Sequence, residues 1–244
     1  MARDPAVVRR KAEIRQRIWD LLERLGVAAF PRPVYGRIPN FRGADAACGR
    51  LLSTQAWRRA RVVKINPDAP QRPCREAALR EGKKLVMPTP RIKNGFLLLD
   101  PALIPKSAYQ RAATIAGAFD FGSSVDPRDL PAVDLVVIGS VAVNRLGHRL
   151  GKSHGYAELE WGILTELGKA GPSTAVATTV HDLQFIDEEI PREPFDLPVD
   201  IIATPSRIVE VSPRPPKPRG ILWEYVDEGL LAEVPLLKSL KRNI

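Results

Sequence analysis

Apolar residues follow two different spacings along this chain. Over residues 4–26, Val8, Ile14, Ile18, Leu21, Leu22 and Leu25 recur at three- and four-residue steps, which predicts an amphipathic helix. Asp4-Pro5 supplies its N-cap and first-turn proline, and Gly26 its C-cap. A Pro-rich connector follows over residues 30–39, then a predicted helix over 43–57. From residue 61 onward, short β-branched runs alternate with helical ones. Strands are predicted over 61–65, 84–87, 133–143, 174–180 and 200–203, with an edge strand over 207–211. Helices are predicted over 73–81, 107–116 and 156–167, and a last one over about 223–240 after a proline-rich spacer at 213–218. Strands separated by helices imply βαβ units, so the predicted fold is a three-layer α/β/α sandwich with a mostly parallel, Rossmann-like sheet. It would form one domain over residues 1–212, with the connector and C-terminal helix of 213–244 packed on it.

Composition narrows the class. Of 244 residues, 44% are hydrophobic and 27% charged, which fits a globular chain and not a fibrous or disordered one. The longest hydrophobic stretch, residues 135–143, is about half of what a bilayer requires. The N-terminus lacks an apolar signal region, so the expected location is cytoplasmic. Cys48 and Cys74 form no C-x-x-C pair and are read as free thiols. The 37 basic against 28 acidic groups give +9, unevenly spread: residues 1–93 hold 22 basic and 8 acidic groups, residues 94–244 hold 15 and 20. Such a split points to an anionic partner, whether nucleic acid, nucleotide or polyanionic small molecule. Lys11 and Arg15 share one face of the first helix, either as a solvated basic face or as part of such a site.

In parallel sheets ligands bind beyond the carboxyl ends of the strands, which directs attention to the segment after Val143. It reads Gly147-His-Arg149-Leu-Gly151-Lys152-Ser153-His154-Gly155-Tyr156 and runs into a helix. Glycines let backbone approach an anion, the helix start offers unpaired N–H groups, and Arg149 and Lys152 supply charge. These are the properties of a phosphate cradle, although a plain glycine-rich turn with two exposed bases has the same composition. With three residues between Gly147 and Gly151 where a P-loop has four, it is not a P-loop. The lack of H-E-x-x-H, G-x-S-x-G and complete G-x-G-x-x-G motifs removes the usual support for metalloprotease, serine hydrolase and ordinary dehydrogenase readings. His181-Asp182 is a further candidate pair at a strand exit, where adjacent side chains point apart.

The loop resembles the G-x-R-L-G-x-G-x-G-Y-Y-D signature of the 5-formyltetrahydrofolate cyclo-ligase family. Gly147, Arg149, Leu150, Gly151, Gly155 and Tyr156 match, Ser153 and Ala157 depart, and Glu158 stands where the signature has aspartate. Lys11 and Arg15 are similar to the family's K-x-x-x-R helix, and residues 196–204 to its H-D-V-P-[LV]-D-x-[IV]-V-T segment. The family's E-[VI]-D-T element, whose glutamate contacts folate after an early strand, has no counterpart by motif. Asn66-Pro67-Asp68-Ala69-Pro70-Gln71 occupies that stretch and, with residues 88–91, looks like the divergent branch of methenyltetrahydrofolate synthetase-domain proteins.

The resemblance implies ATP- and Mg²⁺-dependent conversion of 5-formyltetrahydrofolate to 5,10-methenyltetrahydrofolate, releasing ADP and phosphate. Lys11, Arg15, Gly147, Arg149, Gly151, Lys152, Ser153, His154, Gly155 and Tyr156 would then hold ATP, with Arg149 and Tyr156 assisting catalysis. Glu158 and Asp200 would hold Mg²⁺ through hard oxygens. The alternative is a nucleotide-binding or RNA-associated protein that keeps the fold without folate chemistry, although no RNP1-like motif is present.

Overall fold

The computed structural model describes residues 3–153 and 155–241. Helix α1 (Pro5–Arg24) begins where Asp4 accepts the Ala6 N–H at 2.8 Å, and it buries Ile14, Ile18, Trp19 and Leu22. The chain continues through α2 (Ala44–Leu52), α3 (Gln55–Arg59), β1 (Val62–Ile65), α4 (Arg72–Arg80), β2 (Lys84–Pro88) and β3 (Phe96–Leu99). Next come α5 (Tyr109–Ala112), α6 (Ile115–Phe121), β4 (Ser123–Val125), β5 (Leu135–Ile138), β6 (Ala142–Asn144) and β7 (Arg149–Leu150). The remainder is α7 (Tyr156–Glu166), β8 (Ala175–Thr179), β9 (Phe185–Ile186), β10 (Ile201–Ala203), β11 (Ile208–Glu210), α8 (Glu228–Glu233) and α9 (Pro235–Lys241).

Eight strands form the main sheet in the order β11-β10-β8-β5-β1-β2-β3-β4. Its centre, β10 to β2, is parallel, while the marginal pairs β2–β3, β3–β4 and β10–β11 are antiparallel. Successive strand residues face opposite sides. Val63, Ile65, Leu85, Met87, Val137 and Ala177 meet α2 and α4, whereas Val86, Val136, Ile138 and Val176 meet α7 and α9. This is the mixed α/β architecture, built on a large, mostly parallel central sheet, that the sequence pattern predicts.

The departures have local causes. Residues 133–143, expected as one strand, break after Ile138 into strands of two different sheets. Gly139 marks the switch: a Cβ there would lie 2.7 Å from Ile38, so the backbone passes where no side chain fits. The second sheet, β7-β6-β9, carries α1 on its surface through Ile14, Ile18, Leu22, Ala142 and Leu150. The helix expected over 43–57 divides because Thr54 caps α3, accepting from the Trp57 N–H at 3.3 Å. Thr114 likewise separates α5 from α6 by capping at Gly117, 3.0 Å away. The last helix is a 3₁₀ turn at Trp223–Tyr225 followed by α8 and α9, which press Val234, Leu237 and Leu240 onto the α7 side of the sheet. Among the described residues no helix is long and apolar enough to cross a membrane.

Candidate functional site

The carboxyl ends of β1, β2 and β5 open into a cleft of about 1420 Å³. Pockets for a single drug-sized ligand hold about 300–1,000 Å³, so this one has room for two. Its walls come from α1, the segment after β1, the loop before α7, and the C-terminal segment from Pro218 to Glu233.

The glycine-rich segment divides into two parts with different tasks. Gly147, at φ +76°, turns the β6–β7 hairpin, and a Cβ there would sit 2.2 Å from the Val199 carbonyl oxygen. It therefore serves the hairpin and lies away from the cleft lining, a correction to its expected contact with ATP. Arg149 is also turned inward, with its side chain 1% exposed. It pairs with Glu158 and donates to the carbonyls of Leu197 at 3.1 Å and Gly139 at 3.3 Å. Such an arginine positions Glu158 and the loop from the cleft wall, with each of its three nitrogens already donating to a protein oxygen.

Gly151, Lys152, Ser153, Gly155 and Tyr156 do line the cleft. Ser153 has a left-handed φ of 92°, which explains why the signature places glycine there. Gly155 is the left-handed N-cap of α7 and has open space where a Cβ would be, so the first-turn N–H groups face the cleft without a side-chain cap. Lys152 reaches across to Asp68 at 3.2 Å. The Tyr156 hydroxyl donates to Glu233 at 2.6 Å, and burial, reinforced by that carboxylate, pushes the phenol up to about 12. His154 lies outside the described residues.

Lys11 and Arg15 reach the cleft from α1, but with partners. The Lys11 ammonium lies 2.8 Å from Glu193 and 2.5 Å from Asp196. The Arg15 Nε donates to the Gly151 carbonyl at 2.6 Å, and burial lowers the affinity of its guanidinium for its proton. Asp196 is pushed up by burial, whereas Glu193 is held down, despite its own burial, by hydrogen bonds from Arg3 and Lys11. These two carboxylates were not foreseen, although Asp196 opens the segment that carried the resemblance.

Asp200 does not join Glu158. It is fully buried ahead of β10, where it accepts the Val176 N–H at 2.8 Å and pairs with Lys217 at 2.8 Å. Val176 and Asp200 lie at the amino ends of parallel strands, opposite the cleft, so the expected metal role of Asp200 is replaced by a structural one. His181 and Asp182 separate as extended neighbours do. His181 Nδ1 caps the following 3₁₀ turn at 3.1 Å, and Asp182 accepts from Thr204 and Ser206.

The segment after β1 contributes more than its sequence advertised. Asp68 faces the cleft, and Arg75, fully buried and lowered by desolvation to about 10, holds the segment through the carbonyls of Asn66 at 2.5 Å and Asp68 at 3.0 Å. Beneath them, Lys64 of β1 meets Glu160 of α7 in a buried ion pair. Arg37, Arg72 and Arg91 also line the cleft, the last at a left-handed φ of 56°. Part of the basic excess of residues 1–93 is thus taken up inside the fold, by Lys11, Lys64 and Arg75. Among the described residues no cluster of three or more His, Cys, Asp or Glu could hold a metal by protein ligands alone.

Comparison with known proteins adds to this geometry. The model of the 5-formyltetrahydrofolate cyclo-ligase family matches residues 7–205. The chain is 43% identical over 236 residues to a mouse methenyltetrahydrofolate synthase domain-containing protein, covering 96% of this chain and 63% of the relative. Against the human protein of the same description it is 38% identical over 235 residues, covering 95% of this chain and 61% of the relative. The chain therefore spans a little under two thirds of the length of these relatives. The NMR structure of an Aquifex aeolicus 5,10-methenyltetrahydrofolate synthetase shares the fold, with a TM-score of 0.53 and 21% identity over 83% of this chain and 93% of that one.

Proposed function

The chain belongs to the 5-formyltetrahydrofolate cyclo-ligase family, a family of ATP-dependent ligases, and from that premise we propose that it converts 5-formyltetrahydrofolate to 5,10-methenyltetrahydrofolate at the expense of ATP. The observation that carries the reading is a single cleft, large enough for both substrates, that joins a helix N-terminus flanked by glycine to a carboxylate at the end of β1. Asp68 offers in space what the missing E-[VI]-D-T element would supply, a carboxylate after an early strand facing the folate. The Asp68–Lys152 contact brings the folate and nucleotide sides together.

In this scheme the α7 N–H groups, Gly151, Gly155 and Lys152 receive the ATP phosphates, with Arg15 behind them. Phosphoryl transfer to the formyl oxygen activates its carbon, N10 attacks that carbon, and phosphate leaves as the ring closes. The protein's work is to align two anions and offset their charge. Mg²⁺ is usually held by one or two carboxylates together with substrate phosphates, and Glu158, fixed by Arg149 at the first turn of α7, fits that need. When bound, the ion would neutralise charge on the phosphates.

Purified protein mixed with 5-formyltetrahydrofolate, ATP and Mg²⁺ should generate the near-ultraviolet absorbance of the methenyl product. No change above an enzyme-free control refutes the reading. ATP binding without product would leave the nucleotide-binding alternative in its place.

A further inference from the structure

The floor of the cleft holds a buried ion pair that the scheme above leaves unused. Lys64 sits in the middle of β1. Its neighbours Val63 and Ile65 face α2 and α4, while Lys64 faces α7 and its ammonium meets the Glu160 carboxylate. Asn66 closes the triangle, accepting from Lys64 at 2.8 Å and donating to Glu160 at 3.2 Å. The Lys64 side chain is 1% exposed and that of Glu160 4%. Burying two charges is costly, and an apolar pair of similar volume joins a strand to a helix at least as well. An ion pair kept in such a place is a candidate for chemistry.

Its position bears this out. Glu160 and Asn66 line the cleft together with Asp68 and Glu158. Lys64, Asn66 and Asp68 face the Glu160 carboxyl from the β1 side, and Glu158 acts on it from its own helix. Asp68 in turn touches Lys152 of the nucleotide loop at 3.2 Å. Glu160 therefore lies under the junction where the folate and phosphate halves of the cleft meet, and the reacting atoms must meet there too.

Ring closure needs a base, because N10 carries a hydrogen that the methenyl product lacks. We propose that Glu160 is that base and that Lys64 and Asn66 hold its carboxylate toward the reacting centre. This inference rests on the cyclo-ligase reading. The N10 lone pair forms a bond to the activated carbon, the N10–H bond breaks, and its proton passes to a Glu160 oxygen. The carbon–oxygen bond to the phosphoryl group, supplied by ATP, then breaks and phosphate departs with the electron pair, leaving the methenyl cation. Glu158 and Asp68 already have places at the phosphates and the folate, and Asp196 pairs with Lys11 away from them.

The test compares wild type with Glu160→Gln, Glu160→Asp and the double variant Lys64→Met/Glu160→Leu, which replaces the pair by an apolar contact and guards against misfolding. Glu160→Gln should lower kcat by about 100- to 10,000-fold, with KM for ATP and for 5-formyltetrahydrofolate nearly unchanged. The double variant should fold, bind ATP and be as slow, and Glu160→Asp should recover part of the rate. A folded double variant turning over at the wild-type rate overturns the inference while leaving the cyclo-ligase reading intact. A wild type that makes no methenyl product overturns the reading, and the inference with it.

Discussion

Lys152 and Arg149 are three residues apart in one loop, yet they should fail in opposite ways. The Lys152 side chain is 39% exposed and its pairing with Asp68 is a 3.2 Å contact at the cleft edge. Exposed pairs are worth about 0–1 kcal/mol, so Lys152→Ala should leave the unfolding midpoint almost where it was. If its ammonium meets ATP phosphate, the lost charge-assisted bond is worth about 1.5–3 kcal/mol, a weakening of Kd by roughly ten- to a hundredfold. The Arg149 side chain is 1% exposed and bound to Glu158 and two carbonyls. Removing one partner of a buried pair costs about 3–5 kcal/mol, which in a chain of this size lowers Tm by about 10 °C. Isothermal titration with ATP at low salt and thermal unfolding of both variants measure the contrast. An ATP affinity unchanged in Lys152→Ala, or an Arg149→Ala variant as stable as wild type but unable to bind ATP, would refute this division of labour.

Three other outcomes follow from the same geometry. Glu233 directs its carboxylate at Tyr156 and Arg91, beside the helix start proposed for phosphate; Glu233→Gln should tighten ATP binding by about two- to fivefold, an effect that shrinks with added salt in the same titration. The Tyr156 phenol is raised from 10.0 to about 12, so it favours the folded state below pH 10 and that contribution is lost as pH rises from 10 to 12; denaturant unfolding of Tyr156→Phe across that range should show a shallower alkaline loss than wild type. Gly147→Ala would place a Cβ 2.2 Å from the Val199 carbonyl, whereas Gly155→Ala meets open space and only the strain of φ +70°. The first should therefore be clearly the less stable in thermal unfolding, and the second should keep its fold with weakened ATP binding.

Wherever period and punctuation agreed, the sequence was a good guide. Asp4-Pro5 before a helical apolar stripe located α1, and the alternation of short β-branched runs with helices located β1, α4, β2, α7 and β8. The unbroken apolar run over 133–143 concealed a change of sheet, because residues buried on both faces carry no period and only Gly139 marks the turn. Charge alone did not separate Arg149 from Lys152, since both are basic and near glycine. The difference lies in β7 pairing with β6, which takes Arg149 into the interior. Asp200 was legible in principle: a residue that opens a parallel strand lies at the end away from the ligand side. The Lys64–Glu160 pair joins positions 96 apart in sequence, and no local pattern on either element announces it.

On the proposed function, one cleft couples ATP cleavage to methenyl ring closure. Quantifying ADP and 5,10-methenyltetrahydrofolate together in a single turnover of the wild-type protein tests it most directly. One ADP should form for each methenyl product, and neither should form when 5-formyltetrahydrofolate is omitted. ADP released at the same rate without the folate, or no methenyl product alongside it, would contradict the account.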